Sequence, residues 1–491
     1  MARNVVAPIL HFGKTRADAP ALIDRGRTIP YGELDRLVRR TAFHLAASGI
    51  RPGDRVGLCL KDTAQHIVAL LAVAHIGAVA VSLDWRATPG ENARFIEGLG
   101  IARVLAEPET RLGNTCPLML LDNNWYRAVE AAACSEESPA DWHDPFVITA
   151  TSGSTGTPKF TQMTHLQFYF AIVGMFELMG LAGKHRFLCT MPLYYSGGRN
   201  SCLAHLLRGD CVVLYPNLFG AAEYVGIVEK ENITVAGAVP SVVRHLLAEA
   251  GEKPLLPSLT TLFSTGAPLY AEEKREAAHK LSPHFHERYG TAETLAISIL
   301  RPHDLADRAD SVGQPHSLAE IQIVDEQDRN LPIGEVGRLR YRGPGMASPL
   351  PGQNADANFR NGWYYPGEIA RLDQAGYIFL QGRSSDVIIR SGAKIYPAEV
   401  ESALLGHPRV AEAAVLGHRR GESEESVVAF LVLRETVTLG ELLAHCRVQL
   451  SSHKVPRHFR FLDRLPRNTA GKTDKIALAR LLAEETTAQA I

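Results

Sequence analysis

The chain has 491 residues, more than one compact core accommodates, and so predicts two or more domains. Its 46% hydrophobic and 21% charged residues are those of an ordinary globular protein, and a formal net charge of -1 argues against a nucleic-acid partner. Seven cysteines without a CxxC pair argue against a disulfide framework or structural zinc, and no stretch reads as a signal peptide or membrane span, so a cytoplasmic setting without membrane insertion is expected.

In chain order, the basic cluster at 36–40 reads as the solvated face of a helix. Residues 55–60 read as a strand, 63–76 as a helix with a broad apolar face, and 78–83 as a strand again. Further strands are predicted at 147–149, 211–214, 233–236 and 262–264. This strand–helix alternation implies an α/β fold: mainly parallel sheets covered by helices. After Gly313 the pattern changes to short strands at 320–324, 336–341 and 377–380, separated by Gly, Pro and Asp, which implies a small antiparallel β unit. A polar step at 382–386 then opens a compact α+β unit, with helices at 398–405 and 439–451 and strands at 410–416 and 427–433. The expected division is a large N-terminal domain, 1–382, and a small mobile C-terminal domain, 383–491.

Between the apolar run 146–148 and Phe160 stands ATSGSTGTPKF, almost entirely glycine and small hydroxyl residues with one proline and one lysine. Linker, tight turn and anion-binding loop all fit such a composition. Unbroken strand–helix alternation on both sides disfavours a linker. Successive N–H groups, hydroxyls and an ammonium suit a phosphate, although two residues between the glycines do not make a GxxxxGK[ST] loop. His284 and His286 share one face of a strand-like segment, but no third ligand at suitable spacing supports a metal there.

The later motifs decide the matter. MPLYYSGG (191–198), STGAPL (264–269), YGTAET (289–294), SVGQP (311–315), NGWYYPGEIA (361–370), GRSSDVIIRSGAKIYPAEVE (382–401) and NTAGKTDK (468–475) follow the glycine-rich stretch in order. Together the eight motifs resemble those of the adenylate-forming superfamily: acyl- and aryl-CoA synthetases, nonribosomal peptide synthetase adenylation domains and firefly luciferases. The resemblance spans almost the whole chain and is nearest the acyl-CoA synthetase branch. It implies an ATP-dependent carboxylic acid:CoA ligase that forms an acyl-adenylate, releases pyrophosphate, then passes the acyl group to coenzyme A and releases AMP. ATP, Mg2+ and coenzyme A are the implied cofactors, and the protein is expected as a monomer or homodimer.

The resemblance also implies roles. Lys472 is the catalytic lysine that bridges carboxylate and phosphate. Thr151, Ser152, Gly153, Ser154, Thr155, Gly156 and Lys159 hold the β- and γ-phosphates, and Glu293 binds the magnesium ion. Tyr289 lies against adenine, with the backbone of Ser264–Pro268, including Gly266, Ala267 and Pro268, lining the opposite side, and Gly290 and Thr291 are further nucleotide-binding residues. Glu368 meets the ribose hydroxyls, Arg383 is a further nucleotide-binding residue, and Gly392 lines the pantetheine tunnel. Ser385, with Asp386, is the hinge about which the C-terminal domain rotates between the half-reactions.

Five positions depart from the family pattern. Ala292 stands where a threonine often meets the α-phosphate, with Thr291 or Thr294 as the nearest substitutes. Pro366-Gly367-Glu368 replaces TGD, lengthening the ribose carboxylate by one methylene. Tyr195 replaces a frequent histidine, and Phe160 replaces the glycine after the signature lysine. The acid pocket is expected from Tyr195, Ser196, Gly197, Arg199, Ala238 and Thr294, with Arg199 a candidate reader of a second carboxylate on a small carboxylic acid substrate. No carrier domain trails Lys475, which favours free coenzyme A. Loading of a separate carrier protein, or a silent nucleotide-binding relative, are the alternatives.

Overall fold

The computed structural model describes residues 3–112, 116–151, 159–216, 220–351, 358–390, 393–418, 425–467 and 473–488. The chain divides into two compact units, one made of Met1–Glu320 with Tyr341–Tyr364, the other of Ile321–Arg340 with Tyr365–Ile491.

The first unit carries two large sheets, each parallel in its centre. In one, the strands Lys159–Thr164, Pro145–Thr151, Val79–Ser82, Arg55–Cys59, Arg103–Ala106 and Leu118–Leu120 lie side by side in that order. Only the Pro145–Thr151 and Lys159–Thr164 pair and the edge strand Ser348–Pro349 are antiparallel to their neighbours. The other sheet runs from Gln314–Pro315 through Ser298–Leu300, Phe285–Tyr289, Thr261–Thr265, Val235–Ala238, Arg186–Cys189 and Cys211–Leu214 to Pro20–Asp24 and Arg27–Pro30. The predicted α/β class is thus the observed one.

One hydrophobic cluster joins residues of both sheets with those of the helices Ala64–His75, His165–Met179 and Ser196–Leu207. Ala64–His75 is apolar nearly all round and is buried along its length, as such a helix must be. Its first N–H groups need an acceptor, and Asp24 supplies one, accepting from Ala64 N–H at 2.8 Å. The helix His165–Met179 begins in a capping box, Gln167 N–H donating to Thr164 Oγ1 and Thr164 N–H to Gln167 Oε1.

Phe160, the residue in place of a glycine, lies in a buried cluster with Ile96, Leu99, Ile148 and Leu350. Its ring meets Phe95 edge-on at 5.7 Å. The substitution fills core beneath the helix Pro89–Leu99 rather than entering a ligand space.

In the second unit, the strands Glu368–Leu372 and Ile378–Arg383 pair antiparallel. Beyond them a three-stranded sheet, Val410–His418, Ser426–Leu433 and His458–Phe461, is packed by the helices Pro397–Leu405 and Leu439–Gln449 through Val400, Leu404, Leu442 and Cys446. No helix among the described residues is long and apolar enough to cross a membrane.

Candidate active site

The glycine-rich stretch closes a hairpin. Thr151 and Lys159 are backbone partners at the facing ends of the strands Pro145–Thr151 and Lys159–Thr164, so the chain turns back on itself rather than linking two bodies. Ser152, Gly153, Ser154, Thr155 and Gly156 lie outside the described residues, as do Gly392 and Lys472.

Three motif segments meet at the ends of neighbouring strands. After Thr261–Thr265 the chain turns through Gly266, at φ +95°, into Ala267 and Pro268. Pro268 O accepts from Arg244 Nη2 at 3.3 Å, and Leu269 N–H donates to Glu287 Oε1 at the same distance. Tyr289 ends the adjacent strand Phe285–Tyr289. A methyl group on Gly290 would sit 2.2 Å from Leu295 O, so only glycine admits the tight turn that follows. Within that turn Thr291 Oγ1 accepts from Glu293 N–H at 3.2 Å and lies 3.3 Å from Thr294 Oγ1, which accepts from Thr291 N–H. Both hydroxyls flanking Ala292 therefore bind the turn itself. Glu293 is 5% exposed, and its carbonyl accepts from Ala347 N–H at 2.8 Å. Ala238, fully buried, ends the strand Val235–Ala238.

Tyr195 precedes the helix Ser196–Leu207, whose first turn supplies Ser196 and Gly197. A small cavity of about 30 Å³ opens there, lined by Met175, Ser196, Gly197, Asn200, Ser201, Arg288, Thr291 and Leu295. Burial pushes the Tyr195 hydroxyl above its usual range; Arg288 nearby draws it down and Glu293 pushes it further up.

Two buried arginines bound this region, and neither has a carboxylate partner among the described residues. Arg199, 1% exposed, donates from Nη2 to Thr149 Oγ1 at 3.0 Å and from Nε to Asn200 Oδ1 at 3.1 Å. It stands beside the strand that leads into the glycine-rich hairpin and is absent from the cavity lining. Arg288, 5% exposed, lines the cavity, and its Nη1 lies 2.9 Å from Met175 Sδ. Its buried Nε has no hydrogen-bond partner among the described residues. Burial draws both guanidinium groups down to about 10. An unpaired buried guanidinium is costly in an empty site and is matched when an anion arrives.

The sequence reading omitted Arg288, along with Met175, Asn200, Ser201 and Leu295. A signal was present: Glu287 and Arg288 are consecutive charges in an interior strand of the larger sheet, and each needs a partner. Glu287 has Lys274. Arg288 has none described.

In the second unit Glu368 and Arg383 are cross-strand partners, with Arg383 Nε 3.8 Å from Glu368 Oε1. Ser385 and Asp386 form the short turn Ser384–Asp386, Ser385 Oγ donating to Asp386 Oδ1 at 2.8 Å. Lys475 Nζ reaches Asp386 Oδ2 at 3.1 Å and Glu401 Oε1 at 3.6 Å, tying the start of the helix Lys475–Ala488 to that turn.

The sequence matches the AMP-binding enzyme family over residues 10–349 and the AMP-binding enzyme C-terminal domain over residues 399–472. It is 31% identical to the 2-succinylbenzoate–CoA ligase of Bacillus subtilis (strain 168) over 456 residues, 92% of this chain and 93% of that protein. It is 32% identical to a feruloyl-CoA synthase of an Amycolatopsis species over 466 residues, 92% and 94% of the two chains. Among solved structures, the o-succinylbenzoate CoA synthetase of B. subtilis with its acyl-adenylate intermediate superposes with a TM-score of 0.86 at 29% identity, covering 96% of this chain and 97% of that one. ATP-bound MatB from Rhodopseudomonas palustris gives 0.88 at 25% identity, covering 97% and 98%. The chain belongs to the AMP-binding enzyme family and is an AMP-forming acid–thiol ligase of the adenylate-forming superfamily.

Proposed function

We propose that this ligase activates a compact carboxylic acid carrying a second anionic group, and that it passes the acyl group to coenzyme A. The observation that carries the substrate class is Arg288: a buried cation whose Nε has no hydrogen-bond partner among the described residues, lining a small cavity with Ser196, Asn200, Ser201 and Thr291. A distal carboxylate supplies the counter-charge that Arg288 lacks among the described residues. Arg199, bonded to Thr149 and Asn200, is then left to support the strand that enters the phosphate hairpin.

In the first half-reaction a carboxylate attacks the α-phosphate of ATP, and pyrophosphate leaves. Two unit charges 4 Å apart repel by about 4 kcal/mol at an effective dielectric near 20, so cations must meet the reacting oxygens. Lys472 bridges the two anions, as an oxyanion donor does. The 151–159 hairpin holds the β- and γ-phosphates, Tyr289 and residues 266–268 enclose adenine, and Glu368 with Arg383 positions the ribose. One buried carboxylate, Glu293, suits magnesium, which keeps several waters and shares its remaining ligands with substrate phosphates. When bound, that ion neutralises charge on the transferred phosphates. The turn at Ser385 and Asp386 then serves as the hinge that withdraws Lys472 and brings Gly392 to the thiol.

The test is AMP release from a panel of mono- and dicarboxylic acids of matched length, run with coenzyme A, with a phosphopantetheinylated carrier protein, and with neither. The proposal expects dicarboxylic acids to be preferred and coenzyme A to accelerate release. Preference for monocarboxylic acids would overturn the substrate class. Acceleration by the carrier protein alone would overturn the acceptor.

A further inference from the structure

Away from the reacting groups, one buried ion pair connects three of the motif segments. Lys274, in the helix Ala271–Lys280, and Glu287, in the strand Phe285–Tyr289, are 2% and 4% exposed, and Lys274 Nζ lies against Glu287 Oε2. The lysine also donates to Ser311 O at 2.9 Å, at the start of SVGQP. The other carboxylate oxygen, Glu287 Oε1, accepts from Leu269 N–H, at the end of STGAPL. Glu287 itself stands two residues before Tyr289. A Lys–Glu pair this deeply buried brings little net stability over apolar side chains of equal volume. Its distinctive property is reach: it ties together the ends of three motif segments.

From this geometry we infer that Lys274 and Glu287 are positioning residues for the nucleotide, setting the spacing between the 266–268 turn and Tyr289 through their bonds to Ser311 O and Leu269 N–H. The inference rests on the proposed reading of those segments as the adenine walls. Glu273 is the neighbouring carboxylate and is occupied separately: it pairs with Arg244 and accepts from Tyr270 N–H at 2.8 Å, holding the outer side of the same turn. Among the described residues, the pair's bonds go to Ser311 O and Leu269 N–H and none to the residues lining the acid cavity. A defect in it is therefore expected to fall on ATP and to spare the acid.

Either single neutralisation strands a buried charge, Glu287 in Lys274→Met and Lys274 in Glu287→Gln. The double variant Lys274→Met/Glu287→Gln buries none and carries the test, and Glu287→Gln is its comparison because Lys274 there still has Ser311 O as an acceptor. The glutamine keeps an oxygen for Leu269 N–H and leaves Lys274 on Ser311 O; the double variant loses the Ser311 bond but buries no charge. Thermal unfolding is measured first, then the dissociation constant for MgATP and the KM for the acid. Glu287→Gln is expected to bind ATP within about twofold of wild type, and the double variant about tenfold more weakly, the scale of one lost hydrogen bond, with the acid KM unchanged. A folded double variant with wild-type ATP affinity would overturn the inference, and so would equal shifts for ATP and acid. Failure of the wild-type protein to bind ATP at all would instead bring down the adenine-wall reading, and this inference with it.

Discussion

Arg288 holds its guanidinium over the face of Phe263, 4.5 Å from the ring centroid. The aromatic face contributes a weak attraction where a carboxylate would supply a full charge, so the cation stays underpaid electrostatically until a ligand arrives. Arg288→Met should therefore behave oppositely in two assays. The unfolding midpoint should hold or rise, because a desolvated charge is replaced by an apolar chain of similar volume. Turnover of dicarboxylic acids should fall by roughly 10- to 100-fold, the scale of a lost charge-assisted hydrogen bond, while monocarboxylic acids change little. An acid ranking that survives the substitution would return Arg288 to a structural role.

Gly290→Ala should damage chemistry more than folding. Its added methyl meets Leu295 O at 2.2 Å, so the 290–295 turn must shift and carry Glu293 with it. A displacement near 1 Å costs about 10²-fold in a positioned reaction. Pyrophosphate exchange alongside circular dichroism checks this, and a wild-type rate would show the turn to be more yielding than its contacts suggest.

Glu293→Gln keeps the shape of the side chain and removes the charge that a hard cation requires. The expected result is a rate curve displaced to higher free magnesium with the unfolding midpoint retained. Superimposable magnesium curves would make Glu293 a structural residue.

Acid sensitivity should begin with histidine rather than carboxylates. Burial lowers His66, His75, His165 and His286 from 6.5 to about 4. For a base whose folded value is depressed, the unfolded chain binds the proton first. Stability is then complete above pH 6.5 and is lost as pH falls toward 4, by roughly 1 kcal/mol per imidazole at about pH 5.5. Urea unfolding from pH 8 to pH 5 checks the sign; a flat profile down to the carboxylate range would contradict it.

The motif order made the reaction class legible before any coordinates, because eight short segments in sequence constrain chemistry far more than periodicity does. The six strands predicted in the parallel sheets were found within about two residues, since β-branched runs mark them locally, whereas Pro20–Asp24, Arg103–Ala106, Leu118–Leu120 and Arg186–Cys189 were not predicted. Helix Ala64–His75 was equally plain, starting one residue after Thr63. What the sequence hid was pairing across distance. Glu287 and Arg288 are adjacent and both buried, yet one finds Lys274 thirteen residues earlier and the other, among the described residues, meets Met175 and Phe263. Arg199 drew attention through its glycine neighbours, whereas the cavity belongs to Arg288, which only the register of the strand Phe285–Tyr289 against its neighbours brings there. Phe160 stood out as a departure from the family's glycine; its place in the strand Lys159–Thr164 makes it core.

The most direct test of the account separates the two half-reactions in Lys472→Ala. Acid-dependent ATP–pyrophosphate exchange should fall by roughly 10²–10³-fold, about 2.7–4 kcal/mol, as for the loss of one oxyanion donor. Consumption of a supplied acyl-adenylate by coenzyme A should proceed at close to the wild-type rate, because the proposed hinge rotation withdraws Lys472 from the site for that step. Undiminished exchange, or equal losses in both steps, would contradict a mechanism in which this lysine bridges carboxylate and phosphate.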